Sequence, residues 1–462
     1  MHCGYVTTLN NVRKHPNADK LVLATCFVNT VCVNKDMYHE GEIGVYFPVD
    51  LQLSMEFCQK NGLLAVYENG INVSGGYMDP AKRNVKAIKL RGEQSDGLFL
   101  PLKCLEYTGV DMDSLNIGDT ITTVNGHEIC RKYIPQSNKR QRTGKKGNKV
   151  RKRKDPIAPL FQEHANTEQL GYNLGAFKNG DEIEITLKMH GTSGRVGYLP
   201  KLMGYKRTLW DKITRKPGKP IYNWGYVTGT RRVVLDDFEG GFYGSNEFRE
   251  PHSKIFEGKL WKSETVYFEI VGFTTAGVPI MPPANNLKTN DKEFIKKYGK
   301  TTIFSYGCSP TGYNTFPDGS HEVIPQSDIY VYRMTMTNED GDVVEYTPDF
   351  MRYRCEQMGV KCVPVMWRGT IPDEEVFTET TCELTNAGEW VQEKAEEYYD
   401  GPDPVDKTHV REGVVVRILN RPKFTAYKHK NFNFKVLSNI AVAQAEANGD
   451  TDNMDADRLA EM

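Results

Sequence analysis

The chain has 462 residues, with 59 Lys and Arg against 60 Asp and Glu, a formal net charge of −1 and 39% hydrophobic residues. That length holds two or three domains with a substantial core, and the balanced charge excludes a uniformly basic nucleic-acid coat. The sequence has no apolar run long enough for a spanning helix, and its ten cysteines include no Cys-x-x-Cys pair, which excludes the common zinc and thioredoxin-like motifs and fits a reducing cytosol.

The amino terminus, Met-His-Cys-Gly-Tyr, lacks a charged segment followed by an apolar core, so a soluble, cytoplasmic protein without membrane contact is expected. Short apolar runs follow at residues 21–27, 31–33, 43–47 and 85–90, separated by turn residues, the pattern of a small β-barrel. Between residues 139 and 154 there are ten basic residues and no acidic one. Such a block cannot bury itself. It reads as a linker that contacts phosphates, serves as a nuclear-localisation signal, or is a solvated tether, and composition alone leaves the three open.

Beyond the linker, Asp181 to Leu187 alternates apolar residues at 183, 185 and 187 with polar ones at 182, 184 and 186, the period of a half-buried strand. Lys188 and His190 extend the polar face. Gly191-Thr192-Ser193-Gly194 is expected to turn the chain into a returning strand from Arg195, which puts a lysine and a histidine at a hairpin mouth. Later, Thr265 to Phe273 is apolar around Glu269, where a carboxylate is costly to desolvate without a partner. Residues 350–400 read as mostly helical, packed on the sheet. Arg411-Glu412-Gly413 opens an apolar run suited to a buried strand. If residues 424–437 form one strand, Lys428 and Lys430 share its apolar face, while His429, Asn431, Asn433 and Lys435 lie on a solvated face. From Ala441 the chain is small and polar with acidic residues, and a frayed tail is expected.

Lys188-Met189-His190-Gly191-Thr192-Ser193 resembles the Lys-x-Asp-Gly signature of the covalent nucleotidyltransferases, with His190 in place of Asp, as in the RNA ligase branch. The motifs that follow in order are similar to that family's. They are Thr228-Gly229-Thr230-Arg231-Arg232, Glu269-Ile270-Val271-Gly272, the strand through Tyr332, Glu412-Gly413-Val414-Val415, and Lys428-His429-Lys430. His15-Pro16-Asn17-Ala18-Asp19-Lys20, Gly44 to Asp50 and Lys89 to Leu98 resemble the OB-fold module that precedes the catalytic domain in one group of RNA ligases.

The resemblance implies an α+β protein. An OB-like β-barrel at 1–125 would be followed by a basic linker at 126–160, a nucleotidyltransferase domain of antiparallel sheets with flanking helices at 161–440, and an acidic tail at 441–462. It implies an ATP-dependent RNA ligase, a monomer acting on RNA ends or nicked duplexes, RNA–RNA or RNA–DNA, with ATP as AMP donor and Mg2+ or Mn2+. Lys188 would carry the AMP, with Glu412, Lys428 and Lys430 as the other catalytic groups. His190, Gly191, Arg195, Glu269 and Tyr332 would complete the ATP site. Glu412 and Glu269 would approach the metal, and Arg231 or Arg232 an RNA phosphate. The alternatives are a non-catalytic RNA-end-binding protein on this scaffold, a DNA ligase, or a GTP-using capping enzyme.

Overall fold

The computed structural model describes residues 2–68, 71–134, 155–213, 218–235, 237–238, 246–373, 376–377 and 384–448. The basic block at 139–154, Cys382 and the acidic tail beyond Asn448 lie outside the described residues. The protein is a mixed α+β chain of mostly antiparallel sheets in two compact units.

The first unit comprises residues 1–135 with 285–300 and 432–440. The apolar runs near its amino terminus are strands, as their alternation predicts: Leu21–Cys26 pairs with Asn29–Asn34, and Ile43–Phe47 pairs with Gly4–Thr8 and Leu98–Pro101. Val6, Val45, Phe47, Leu53 and Phe57 fill the core. Among the described residues these strands form a four-stranded sheet, a three-stranded sheet and several pairs, and no closed barrel. The unit also takes in the start of a helix, Phe432–Asn448. That helix corrects the expectation of one strand over 424–437: Lys435 is helical and pairs with Asp96 at 2.5 Å. The helix also runs on past Ala441, where a tail was expected, because Ala441 and Val442 are buried.

The second unit is built on two sheets. Its principal strands are β1 (Glu182–Leu187), β2 (Thr192–Lys206), β3 (Lys219–Gly229), β4 (Glu264–Gly272), β5 (Ser327–Thr337), β6 (Val365–Thr370), β7 (Gly413–Ile418) and β8 (Thr425–Lys430). One sheet runs β8-β7-β1-β6, with Glu168–Gln169 added in parallel outside β8. The other runs β3-β2-β4-β5, edged by Val234–Leu235 and Val343–Glu345. Strand β6 falls inside the stretch read as mostly helical; it pairs with β1, and its alternation is too short and too exposed to stand out against the flanking helices.

Those helices form as their caps dictate. Helix α1 (Pro348–Met358) starts at Thr347, whose hydroxyl accepts the Phe350 N–H, has Pro348 in its first turn and ends at Gly359 in the left-handed region. Helix α2 (Ala387–Tyr399) has a capping box between Asn386 and Glu389. It covers one face of the first sheet, where Ile183, Ile185, Val414, Val416 and Ile418 pack with its Val391 and Ala395. Burying each such valine or isoleucine contributes about 1.5–3 kcal/mol. The opposite face carries Glu184, Lys428 and Lys430, because period-2 alternation sends them away from α2.

Helix α1 is tied to the second sheet by a buried ion pair. The Arg354 guanidinium donates to both carboxylate oxygens of fully buried Glu264, at 2.9 and 2.8 Å, and the Tyr346 hydroxyl donates to the same carboxylate at 2.9 Å. Removing one partner strands a desolvated charge. Arg354→Ala is therefore expected to lower unfolding free energy by about 3–5 kcal/mol, measured by chemical denaturation. A loss below about 1 kcal/mol would show that Glu264 finds other partners.

Candidate functional site

The nucleophile candidate does not sit at a hairpin mouth. Residues 192–194 continue into β2, and β1 and β2 belong to different sheets. Residues 188–191 are the passage from one sheet to the other. The passage is fixed at both ends: the Lys188 N–H donates to the Gly413 carbonyl at 3.0 Å, and the His190 N–H to the Tyr306 hydroxyl at 2.7 Å. Gly191 is needed because a Cβ there would lie 2.2 Å from the Ile270 carbonyl oxygen. Local periodicity could not distinguish a hairpin from a change of sheet, since both put Lys188 and His190 on the polar face.

Three side chains from the passage and from β8 converge on Glu412. Lys188 Nζ lies 2.8 Å and Lys430 Nζ 3.2 Å from its Oε1, while His190 Nδ1 lies 3.3 Å from its Oε2. The carboxylate side chain is 3% exposed, whereas those of Lys188 and Lys430 are 24% and 20% exposed. Burial pushes the Glu412 carboxyl up, but the nearby ammonium groups of Lys188 and Lys430 and the imidazole of His190 outweigh it and hold the carboxyl well below the ordinary glutamate range. Gly413 lets the acid enter the cluster: its φ is +143°, and a Cβ would lie 2.1 Å from the His429 carbonyl oxygen.

The β7–β8 pairing runs without a shift from Gly413↔Lys430 to Ile418↔Thr425, so Lys428 and Lys430 share one face. The other face is not solvated as expected. His429 is buried there, stacked on Tyr399 with ring centroids 4.6 Å apart and beside Gln392 of α2.

The second sheet brings Glu269, which pairs in register with Ser193 and Tyr330 and is the one half-buried residue of β4. Ser193 Oγ stands 3.5 Å from its carboxylate. Tyr332 is the extra residue of a bulge where β5 slips against β4 at Tyr267/Phe268, and its ring meets that of His164 edge-on at 4.9 Å. His164 is held below its usual pKa by burial and by the charges of Arg333 and Arg231. Phe424 lies between Arg417 of β7 and Arg333 of β5, at 4.9 and 5.0 Å from its ring centre, so the two sheets face each other here. Arg333 is paired with Glu345.

Arg195 is placed differently from the ATP role expected of it. It is buried, and its guanidinium donates to the carbonyls of Thr230, Phe161 and Gln162 at 2.8, 3.1 and 2.5 Å while covering the Phe161 ring at 4.3 Å. It fastens the segment before Leu170 to β2. Arg231 and Arg232 sit in the turn after β3, with Arg231 donating to Asn166 Oδ1 at 2.6 Å. Tyr306 gave no sequence signal. It is 116 residues from its partner His190, and its backbone has a φ of +51°, costly for a tyrosine. Burial, with the charge of Asp403, raises its hydroxyl pKa well above the usual range.

No family model matches the chain, and no curated protein does. Solved structures of Naegleria gruberi RNA ligase are similar to it over nearly its whole length. A lysine-to-alanine mutant with ATP and Mn has a TM-score of 0.51 at 15% identity, covering 94% of this chain and 98% of that one. The same enzyme with PPi gives 0.52, again at 15% identity and the same coverage. An arginine-to-alanine mutant with ATP and Mn gives 0.51 at 16%, covering 93% and 97%. The chain has the RNA ligase fold. On that fold, the Glu412 cluster occupies the face where the two sheets of the second unit oppose each other.

Among the described residues no group of three His, Cys, Asp or Glu side chains is gathered to hold a metal, and no helix is long and apolar enough to cross a membrane. Glu412 Oε2 is approached by His190 Nδ1 at 3.3 Å, and a carboxylate oxygen has two lone pairs. It retains acceptor capacity for a divalent ion shared with phosphate oxygens, the mode in which Mg2+ is usually held.

The Glu412 cluster ties stability to pH. A carboxyl whose pKa falls on folding contributes stability above its unfolded value, near 4.5, and loses it as the pH falls through the lower folded value. Glu412→Gln is expected to be less stable than the parent at pH 7, with a shallower loss of stability below pH 4.5. Parallel acid-limb slopes in denaturant titrations of the two proteins would contradict this assignment.

Proposed function

We propose that the chain is an ATP-dependent RNA ligase, in which Lys188 takes AMP from ATP, AMP passes to an RNA 5'-phosphate, and a 3'-hydroxyl then displaces it to seal the strand. The observation that carries this reading is the convergence of Lys188, Lys430 and His190 on one buried carboxylate, at a passage between two facing sheets. The nearly full-length likeness to an RNA ligase supports it.

The chemistry follows from the residues. In the first step the Lys188 Nζ–Pα bond forms, the bond from Pα to the pyrophosphate oxygen breaks, and pyrophosphate leaves. An ammonium has no lone pair, so Lys188 must first lose a proton. Glu412 is a poor acceptor because its own pKa is depressed. The proton leaves to water through the exposed quarter of the lysine side chain. Lys430, held at the same carboxylate oxygen, brings a second cation beside Lys188. Lys430, with Lys428 on the same face, then stabilises the charge that develops on the α-phosphate. A divalent ion held with Glu412, and with Glu269 nearby, would orient the pyrophosphate group. Tyr332, on its bulge, is assigned to the purine, and Arg231 or Arg232 to an RNA phosphate. Arg195 acts through the segment it fastens. The amino-terminal unit, with the OB-like motifs, is assigned to RNA contact, since sealing requires two ends held in register.

The test is covalent labelling. Protein stripped of bound AMP and incubated with Mg2+ and α-labelled ATP is expected to acquire label, Lys188→Ala to acquire none, and Lys430→Ala to label about 100-fold more slowly or worse. No adduct in the parent protein would sink the enzyme reading in favour of a non-catalytic RNA-end-binding protein. Labelling by GTP alone would favour a capping activity.

A further inference from the structure

Strand β2 outruns its sheet. Strand β4 pairs with it only from Thr192 to Gly197, and Val234–Leu235 pairs with β3 only at Thr228 and Gly229. From Leu199 to Lys206, the strand partner of β2 among the described residues is β3 alone. The result is a two-stranded arm reaching roughly 25 Å beyond the sheet. An isolated hairpin is marginal in water, and this one is braced at its root. Tyr198 stacks on Tyr226 at 4.7 Å, the Leu202 N–H donates to the Ile157 carbonyl at 2.7 Å, and the Tyr222 hydroxyl donates to the Pro156 carbonyl at 3.0 Å.

The distal part is built against its own stability. Lys206 and Lys219 are directly opposed across the pair, both exposed, and exposed Arg207 follows. Like charges in register repel. Over residues 199–222 the sequence has seven basic residues and one acidic, in a chain whose net charge is −1. Beside these cations stand large apolar groups in water: Met203, Leu209, Trp210 and Ile213 are 65, 80, 73 and 69% exposed. The segment braced on the arm, residues 155–157, follows the block of ten cations at 139–154 in the sequence.

We propose that this arm is a nucleic-acid docking surface, in which Lys206, Arg207 and Lys219 hold the phosphates of the RNA substrate and Trp210 stacks on an unpaired base near its end. The inference rests on the ligase reading for the identity of the polymer. Opposed lysines make physical sense where a polyanion neutralises them, and a flat indole among cations suits a base more than a protein side chain.

The experiment uses the full chain and a nicked RNA duplex with a 5'-phosphate and a short unpaired end, with affinity read by fluorescence anisotropy across a salt series. The triple variant Lys206→Ala/Arg207→Ala/Lys219→Ala is expected to bind about tenfold or more weakly at low salt. Its slope of log affinity against log salt should be shallower by about 2 to 3. Trp210→Ala should lose about fivefold or more with the slope unchanged. The charge-retaining Lys206→Arg/Lys219→Arg should bind like the parent. Lysyl-AMP formation without RNA should match the parent in every variant, and the melting temperature of the triple variant should equal or exceed the parent's, because the opposed charges are gone. Parent-like RNA affinity and slope in the triple variant would overturn the proposal, as would loss of binding to phosphatidylserine vesicles with RNA binding intact. A parent protein that forms no adduct would sink the ligase reading, and the triple variant's RNA affinity would still decide the role of the arm.

Discussion

The second unit depends on satisfying one desolvated carboxylate. An ionised glutamate that is almost wholly buried is costly unless cations and hydrogen bonds replace the water it has lost. Glu412 meets that condition by collecting Lys188, Lys430 and His190; Lys430 reaches it across the β7–β8 pairing, and Lys188 and His190 from the passage between sheets at residues 188–191. The surrounding details serve that passage. Gly413 adopts a backbone conformation closed to other residues, Gly191 makes room for the carbonyl of Ile270, and Tyr306 holds the His190 amide from a strained φ. The two lysines keep part of their side chains in water, so the cluster is sealed on the acid side and open on the side where a phosphate would enter.

The same two sheets separate stability from chemistry. On the first, one face of β1, β7 and β8 packs against α2 and forms a conventional apolar core, while the other carries Glu184, Arg417, Lys428 and Lys430. Glu184 is buried and ion-paired to Arg352 at 2.8 Å. On the second, the Glu264–Arg354 pair fixes α1, and Arg333 with Glu345 supports Phe424 opposite Arg417. Charged groups that carry no chemistry are thus closed into pairs around the site. The arm formed by β2 and β3 departs from this pattern, with Lys206 and Lys219 opposed in register.

The sequence alone determined the candidate site residues and the local form most of them take. Lys188, His190, Glu412, Lys428 and Lys430 were legible as candidates because their motifs, taken in order, resemble those of the covalent nucleotidyltransferases. The strands Glu182–Leu187, Ile43–Phe47 and Gly413–Ile418 were legible from period-2 alternation or from continuous apolar runs, and helices α1 and α2 from their helical spacing. Tertiary structure decided what local pattern cannot express. A passage between sheets looks like a turn, because neighbours in sequence do not reveal which strand each will pair with. The chain after Lys430 keeps alternating apolar and polar residues yet becomes a helix, since burial of one helical stripe outweighs a two-residue period. Arg195 is expected at the ATP site, and only the fold shows that it donates to three carbonyls from other segments. Tyr306 had no legible role at all, because its partner is fixed by a fold that brings together residues more than a hundred positions apart, and no local propensity encodes such a contact.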